Sequence, residues 1–98
     1  MVNYQVVYWR DIPAQVKAKA GRERAGRQLS ERFQAAIDLA ATRAGLTDEA
    51  DYLAAWRTGP AEAREGELAV VASAVAAELE AAYPDERLQM LVLNGGRP

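Results

Sequence analysis

Val2-Asn3-Tyr4-Gln5-Val6-Val7-Tyr8-Trp9-Arg10-Asp11-Ile12-Pro13-Ala14-Gln15-Val16-Lys17-Ala18-Lys19-Ala20-Gly21 is the stretch that decides the fold. Residues 2–9 are rich in β-branched and aromatic side chains, as strands are. Apolar residues fall on both parities towards Trp9, so this strand is expected to be covered on both sides for part of its length. Arg10-Asp11-Ile12-Pro13 reads as a turn, because proline fixes its own φ and pushes the residue before it out of the helical region. Beyond it, Ile12, Ala14, Val16, Ala18 and Ala20 alternate with Gln15, Lys17 and Lys19, and a period of two favours a half-exposed strand. A helix from Pro13 is the alternative, since Ala, Gln and Lys all form helices readily. The strand is preferred because the alternation runs until Gly21 ends it. The result is a hairpin with one lysine-bearing face, the usual dressing of a solvent-facing edge strand.

Working outward, Arg22, Arg24 and Arg27 lie between Gly21 and the next helix, with Gly26 among them. The helix that follows is set by Leu29, Phe33, Ala36, Ile37, Ala40 and Ala44 at helical spacing, with Glu31, Arg32, Gln34, Asp38 and Arg43 on its other side. Ser30 is placed to be its N-cap and Gly45 its C-terminal stop. Thr47-Asp48-Glu49 opens a short helix carrying Tyr52, Leu53 and Trp56, which Thr58-Gly59-Pro60 breaks. A third helix is expected from about Gly66 to Ala82, with Leu68, Val71, Ala72, Val75, Leu79 and Ala82 in one stripe, and Pro84-Asp85 ends it. Leu88-Gln89-Met90-Leu91-Val92-Leu93 reads as a final strand, and Gly95-Gly96-Arg97-Pro98 as a frayed tail. The expected architecture is a single α+β domain over residues 1–98. It has a three-stranded sheet (the N-terminal hairpin plus a C-terminal strand) with three helices packed on one face.

Composition narrows the chemistry. There is no Cys and no His, which removes disulfides, thiolate sites, the commonest general base near neutral pH and the commonest transition-metal ligand. Ser30 and Ser73 therefore have no histidine to activate them. Asp48, Glu49 and Asp51, like Glu62, Glu65 and Glu67, cluster at helix starts, where capping explains them better than acid–base work. The spacing of a calcium loop is missing. Gly95-Gly96 precedes no helix, so it is not a phosphate loop. No catalytic residue, metal site or cofactor is expected. No apolar run approaches the roughly 20 residues that cross a bilayer, and no signal-peptide pattern opens the chain. The expectation is a cytoplasmic bacterial-type protein.

Charge is unevenly spread. Seven cations against three acids make residues 10–32 net +4, which leaves −6 for the remainder of a chain whose total is −2. Such asymmetry suits an anionic partner or head-to-tail association into a homo-oligomer. Guanidinium forks beside glycines are what carboxylate and phosphate recognition uses; a solvated charged loop balancing an acidic body is the plainer alternative. Trp9 and Trp56 are each followed by arginine, Arg10 and Arg57, and Trp–Arg pairs are frequent interface anchors. Core packing is the alternative for both indoles, and the preferred one for Trp9. The acidic total and the lack of aromatics interleaved with the arginines argue against nucleic acid.

Tyr8-Trp9-Arg10-Asp11-Ile12-Pro13-Ala14-Gln15-Val16, then Gly21-Arg22, then Leu29-x-x-Arg32-Phe33-Gln34-x-Ala36-Ile37-Asp38-x-Ala40-Ala41, and Asp51-Tyr52-Leu53-x-x-Trp56-Arg57 resemble the small bacterial family labelled "virulence factor". Its members occur alone at about this length and as a segment of the larger conserved virulence factor C. The resemblance carries no catalytic residues. It does imply a neighbourhood of folate- and corrinoid-dependent methyl transfer, since stand-alone members often sit beside such genes. Within the matched motifs Leu29, Phe33, Ile37, Tyr52 and Leu53 look like packing, whereas Trp9, Arg10, Asp11, Arg22, Arg32, Asp38, Trp56 and Arg57 are harder to explain as core.

Three functional classes follow. The leading one is a non-enzymatic accessory protein that binds a protein partner or anionic ligand through Arg10, Arg22, Arg24, Arg27, Trp56 and Arg57. The second, an enzyme or small-ligand module of one-carbon metabolism, requires a pocket lined by Trp9, Arg32, Asp38 and Arg57. Nucleic-acid binding is the third.

Overall fold

Residues 2–20 form the expected hairpin: in the computed structural model, which describes residues 1–98, β1 (Val2–Trp9) pairs antiparallel with β2 (Ile12–Ala20). Trp9 faces Ile12 across a two-residue connection, and Arg10 takes the left-handed conformation (φ 51°) that such turns need and that costs a side chain other than glycine. Neighbouring bonds hold it there: the Arg10 N–H donates to the Ala55 carbonyl (3.0 Å) and the Asp11 N–H to the Gly96 carbonyl (2.8 Å). The register slips between Val7 and Tyr8, so Ala14 has no partner on β1, and its carbonyl accepts from the Leu29 N–H instead (3.0 Å).

The remainder of the sheet corrects the expected count. Residues 23–28 are not a loop but β3 (Glu23–Gln28), paired to β2 across a turn in which Gly21 is left-handed (φ 61°). Two three-residue strands, β4 (Trp56–Thr58) and β5 (Glu62–Arg64), share the far edge of β1. Gly59 joins them, donating its N–H to the Val6 carbonyl (2.8 Å). The sheet therefore has five strands in the order β3-β2-β1-β4, with β5 also on β1.

There are four helices, not three: α1 (Glu31–Ala44), α2 (Glu49–Ala54), α3 (Leu68–Ala82) and α4 (Asp85–Leu93). The expected C-terminal strand is α4. Leu88 and Leu91, three apart, are its buried residues, and Pro84-Asp85-Glu86 supplies a helix start, with acids in the first turn. Gly45 stops α1 in the left-handed conformation as expected, but the Ser30 side chain makes no cap bond to its own helix.

α3 packs across β2 and β3, while α1 packs on α4 and β2. Between them lies one apolar cluster that includes Trp9, Ile12, Val16, Phe33, Ile37, Val71, Val75, Leu88 and Leu91. Alternation then sorts the hairpin's two faces. Val6, Val16 and Ala18 go to this core. Asn3 and Gln5, paired with Lys19 and Lys17, take the opposite face together with Gln15, which is paired with Val7.

Candidate binding surface

Most arginines of this chain are spent inside it. Arg32 donates to the carbonyls of Glu80 (2.8 Å) and Tyr83 (2.6 Å) at the end of α3, and to the carboxylates of Glu80 (3.1 Å) and Asp85 (3.2 Å). Arg87 donates to the Ala82 carbonyl, Arg43 to that of Leu93, and Arg10 to that of Gly95. The last carbonyls of a helix lack intrahelical partners, and here guanidinium groups supply them. Arg57 bonds the Arg10 carbonyl (2.9 Å) and Asp11 Oδ1 (3.1 Å), and Arg64 pairs with Glu78 (2.8 Å).

Against that background the β2–β3 hairpin stands apart. Lys17, Lys19, Arg22, Arg24 and Arg27 are all exposed, and none makes a side-chain hydrogen bond or ion pair. Lys19 lies directly across from Arg24 in the β2–β3 register, and Lys17 across from Gly26. Like charges opposed on one face of a sheet repel; the one acid of the hairpin, Glu23, is paired with Ala20 on the other face. Lys17, Lys19 and Arg24 border a depression of about 520 Å³ whose other walls are Asn3, Gln5, Gln15, Ala18, Ala25, Gly26 and Ala61. Gly26 is not demanded by sterics, since a Cβ there would meet nothing closer than the Val16 carbonyl oxygen at 3.8 Å. Its effect is to keep the floor beside Lys17 bare, as glycines in strands do where another group comes close.

Gln15 also borders a smaller hollow with Gln28, Gln34 and Trp56. The Trp56 indole is half-buried, lies edge-on to Tyr52 at 6.1 Å, and its N–H has no partner in the chain. The basic face therefore runs from Arg24 through the amides to an available tryptophan.

The ten residues singled out by sequence do not form one site. Arg24 and Trp56 belong to the face just described; Arg22 lies in the turn beside it, and Arg27, paired with the buried Val16, lies on the opposite face of the sheet. Trp9 does not belong to that face: it is fully buried, its indole N–H donates to the Tyr52 carbonyl (2.9 Å), and its ring packs beside Tyr52. Arg10, Asp11 and Arg57 knit the β1–β2 turn to β4. Arg32 clamps helices, and Asp38 accepts from Gln34 on α1 (2.9 Å). No cavity collects Trp9, Arg32, Asp38 and Arg57; Arg57 and Arg32 line separate ones, and Trp9 and Asp38 line neither. Lys17 and Lys19, which read from the sequence as dressing on an edge strand, border this depression across from Gln5 and Asn3, and their strand is flanked on both sides.

No group of three or more acids is placed to hold a metal ion, and no helix is long and apolar enough to cross a membrane. Residues 7–92 match the family model described as "Virulence factor". The chain belongs to that family. Comparison with curated proteins and with solved structures gives no match.

Proposed function

We propose that the protein is a non-enzymatic binding module whose open sheet face receives an acidic segment of a protein partner. Lys17, Lys19 and Arg24 take the partner's carboxylates, Arg22 extends the positive field at the adjoining turn, and Trp56 provides the apolar anchor. The observation that carries this reading is the set of five hairpin cations without counter-ions, on a chain whose other arginines are nearly all bonded internally. Side-chain amides between cations and a tryptophan suit a peptide, whose carbonyls and N–H groups they can bond. A lone indole is a poor stacking platform for a run of bases.

The test is titration of an Asp/Glu-rich peptide containing one leucine into the 15N-labelled protein at low salt, beside a single-stranded oligonucleotide of equal charge. Saturable peptide binding with shifts at Gln15, Lys17, Lys19, Arg24 and Gly26, lost in the Lys17→Ala/Lys19→Ala/Arg24→Ala triple variant, supports the reading. Tighter binding of the oligonucleotide, or peptide shifts confined to other surfaces, overturns it.

A further inference from the structure

A second cavity, of about 470 Å³, opens between β1, β4 and α4 and shares no residue with the basic sheet face. Two arginine–tyrosine stacks frame it. The Arg57 guanidinium lies 4.4 Å from the centre of the Tyr8 ring, and that of Arg87 lies 3.9 Å from the centre of Tyr83. Each fork is also anchored through its bonds to Arg10 and Asp11 or to Ala82. Those bonds use Nε and Nη2 of Arg57 and Nη1 of Arg87. The remaining edge of each guanidinium has no acceptor within the chain. Nor do the Tyr8 hydroxyl, the Tyr83 hydroxyl or the Asn94 amide donate to any other group of the chain.

The cavity is built to keep this arrangement rigid. A Cβ on residue 59 would stand 3.2 Å from Tyr8 Cε1, so Gly59 lets the Tyr8 ring lie against the backbone. Burial, and then the neighbouring Tyr83, push the Tyr8 hydroxyl above its ordinary pKa. Pro60, Met90 and Leu91 supply apolar wall. Among the lining side chains, two guanidinium groups stand against the single carboxylate of Asp11.

We propose that this cleft binds a small planar acid, an aromatic or heteroaromatic carboxylate. Its carboxylate meets the free edges of Arg57 and Arg87, and its ring lies against Met90 and the tyrosines. The volume falls within the roughly 300–1,000 Å³ of small-molecule sites. A carboxylate matches a guanidinium edge with two parallel bonds, and a bare inorganic anion would leave the apolar wall unused.

The probes are 2-naphthoate, its neutral amide 2-naphthamide, and inorganic phosphate, followed by calorimetry and by 15N shifts of the full chain. Expected are saturable binding of the acid, shifts around Tyr8, Arg57, Arg87 and Asn94, and at least tenfold weaker binding of the amide and of phosphate. Arg87→Ala is expected to weaken naphthoate tenfold or more. Because Arg87 also caps α3, Asn94→Ala serves as the second variant, with a loss of about threefold, the lower end of what one hydrogen bond contributes. Arg24→Ala should leave naphthoate binding unchanged, and Arg87→Ala should leave acidic-peptide binding unchanged, so the two sites fail separately. Equal binding of acid and amide, shifts outside the cleft, or full naphthoate affinity in both natively folded Arg87→Ala and Asn94→Ala overturns the proposal.

Discussion

Gly96 sits on the indole of Trp9: a Cβ on residue 96 would come within 2.9 Å of Trp9 Cζ3 and 3.2 Å of Cε3. The glycine is also left-handed (φ 92°), and its carbonyl accepts the Asp11 N–H at the β1–β2 turn. Gly96→Ala therefore meets both a backbone conformation that L side chains avoid and a full core. The expected cost is about 2–4 kcal/mol, read as a lower urea midpoint with an unchanged slope. Gly21→Ala, also left-handed but with open space around it, should cost less.

Glu80 is the acid whose loss should be felt at low pH. Burial pushes its carboxyl up, but the Ser30 N–H (2.7 Å), the Ser30 hydroxyl (2.9 Å) and Arg32 outweigh that and hold it below the ordinary 4.5. The folded state thus favours the carboxylate. Its contribution is complete above the unfolded pKa and disappears as pH falls through the lower, folded one. Glu80→Gln is expected to lose about 1–2 kcal/mol at pH 7. Chemical denaturation from pH 7 to 3 should show the gap to wild type closing below about 4.5; a constant gap would assign Glu80 a packing role only.

Arg24→Glu separates stability from binding. It turns the opposed Lys19–Arg24 pair into an attractive one, so the melting temperature should rise in low salt, by the equivalent of roughly 0.2–1 kcal/mol. The same substitution should weaken the acidic peptide at least tenfold. Added salt is expected to raise the stability of wild type and to leave that of the variant level or lower.

Legibility of the fold tracked locality. The hairpin, α1 and α3 carry their periodicities in contiguous residues and are readable; α2 is readable only to Ala54, since Trp56, expected on that helix, opens β4 instead. Glu23–Gln28 was not, because a segment of charges with Gly26 inside becomes a strand only by pairing with β2. Trp56–Thr58 and Glu62–Arg64 are three residues each and owe their form to β1, about fifty residues away. Leu88–Leu93 is a short apolar run on which both periods fit, and Pro84-Asp85, which stops α3, is equally the start of a further helix. At the site, sequence located the unpaired arginines of the hairpin but could not tell them from Arg10, Arg32 and Arg57. That difference lies in carbonyls and carboxylates that the fold brings from distant positions.

The arginine caps on α3 and α4 have a consequence for how this surface can change. Structural cations sit on α1, α4, β4, β5 and the β1–β2 turn, whereas five of the six uncommitted ones are gathered on a single exposed ribbon. Substitutions on that ribbon can alter what the molecule attracts without loosening a helix end, which leaves partner preference free to diverge while the scaffold stays put.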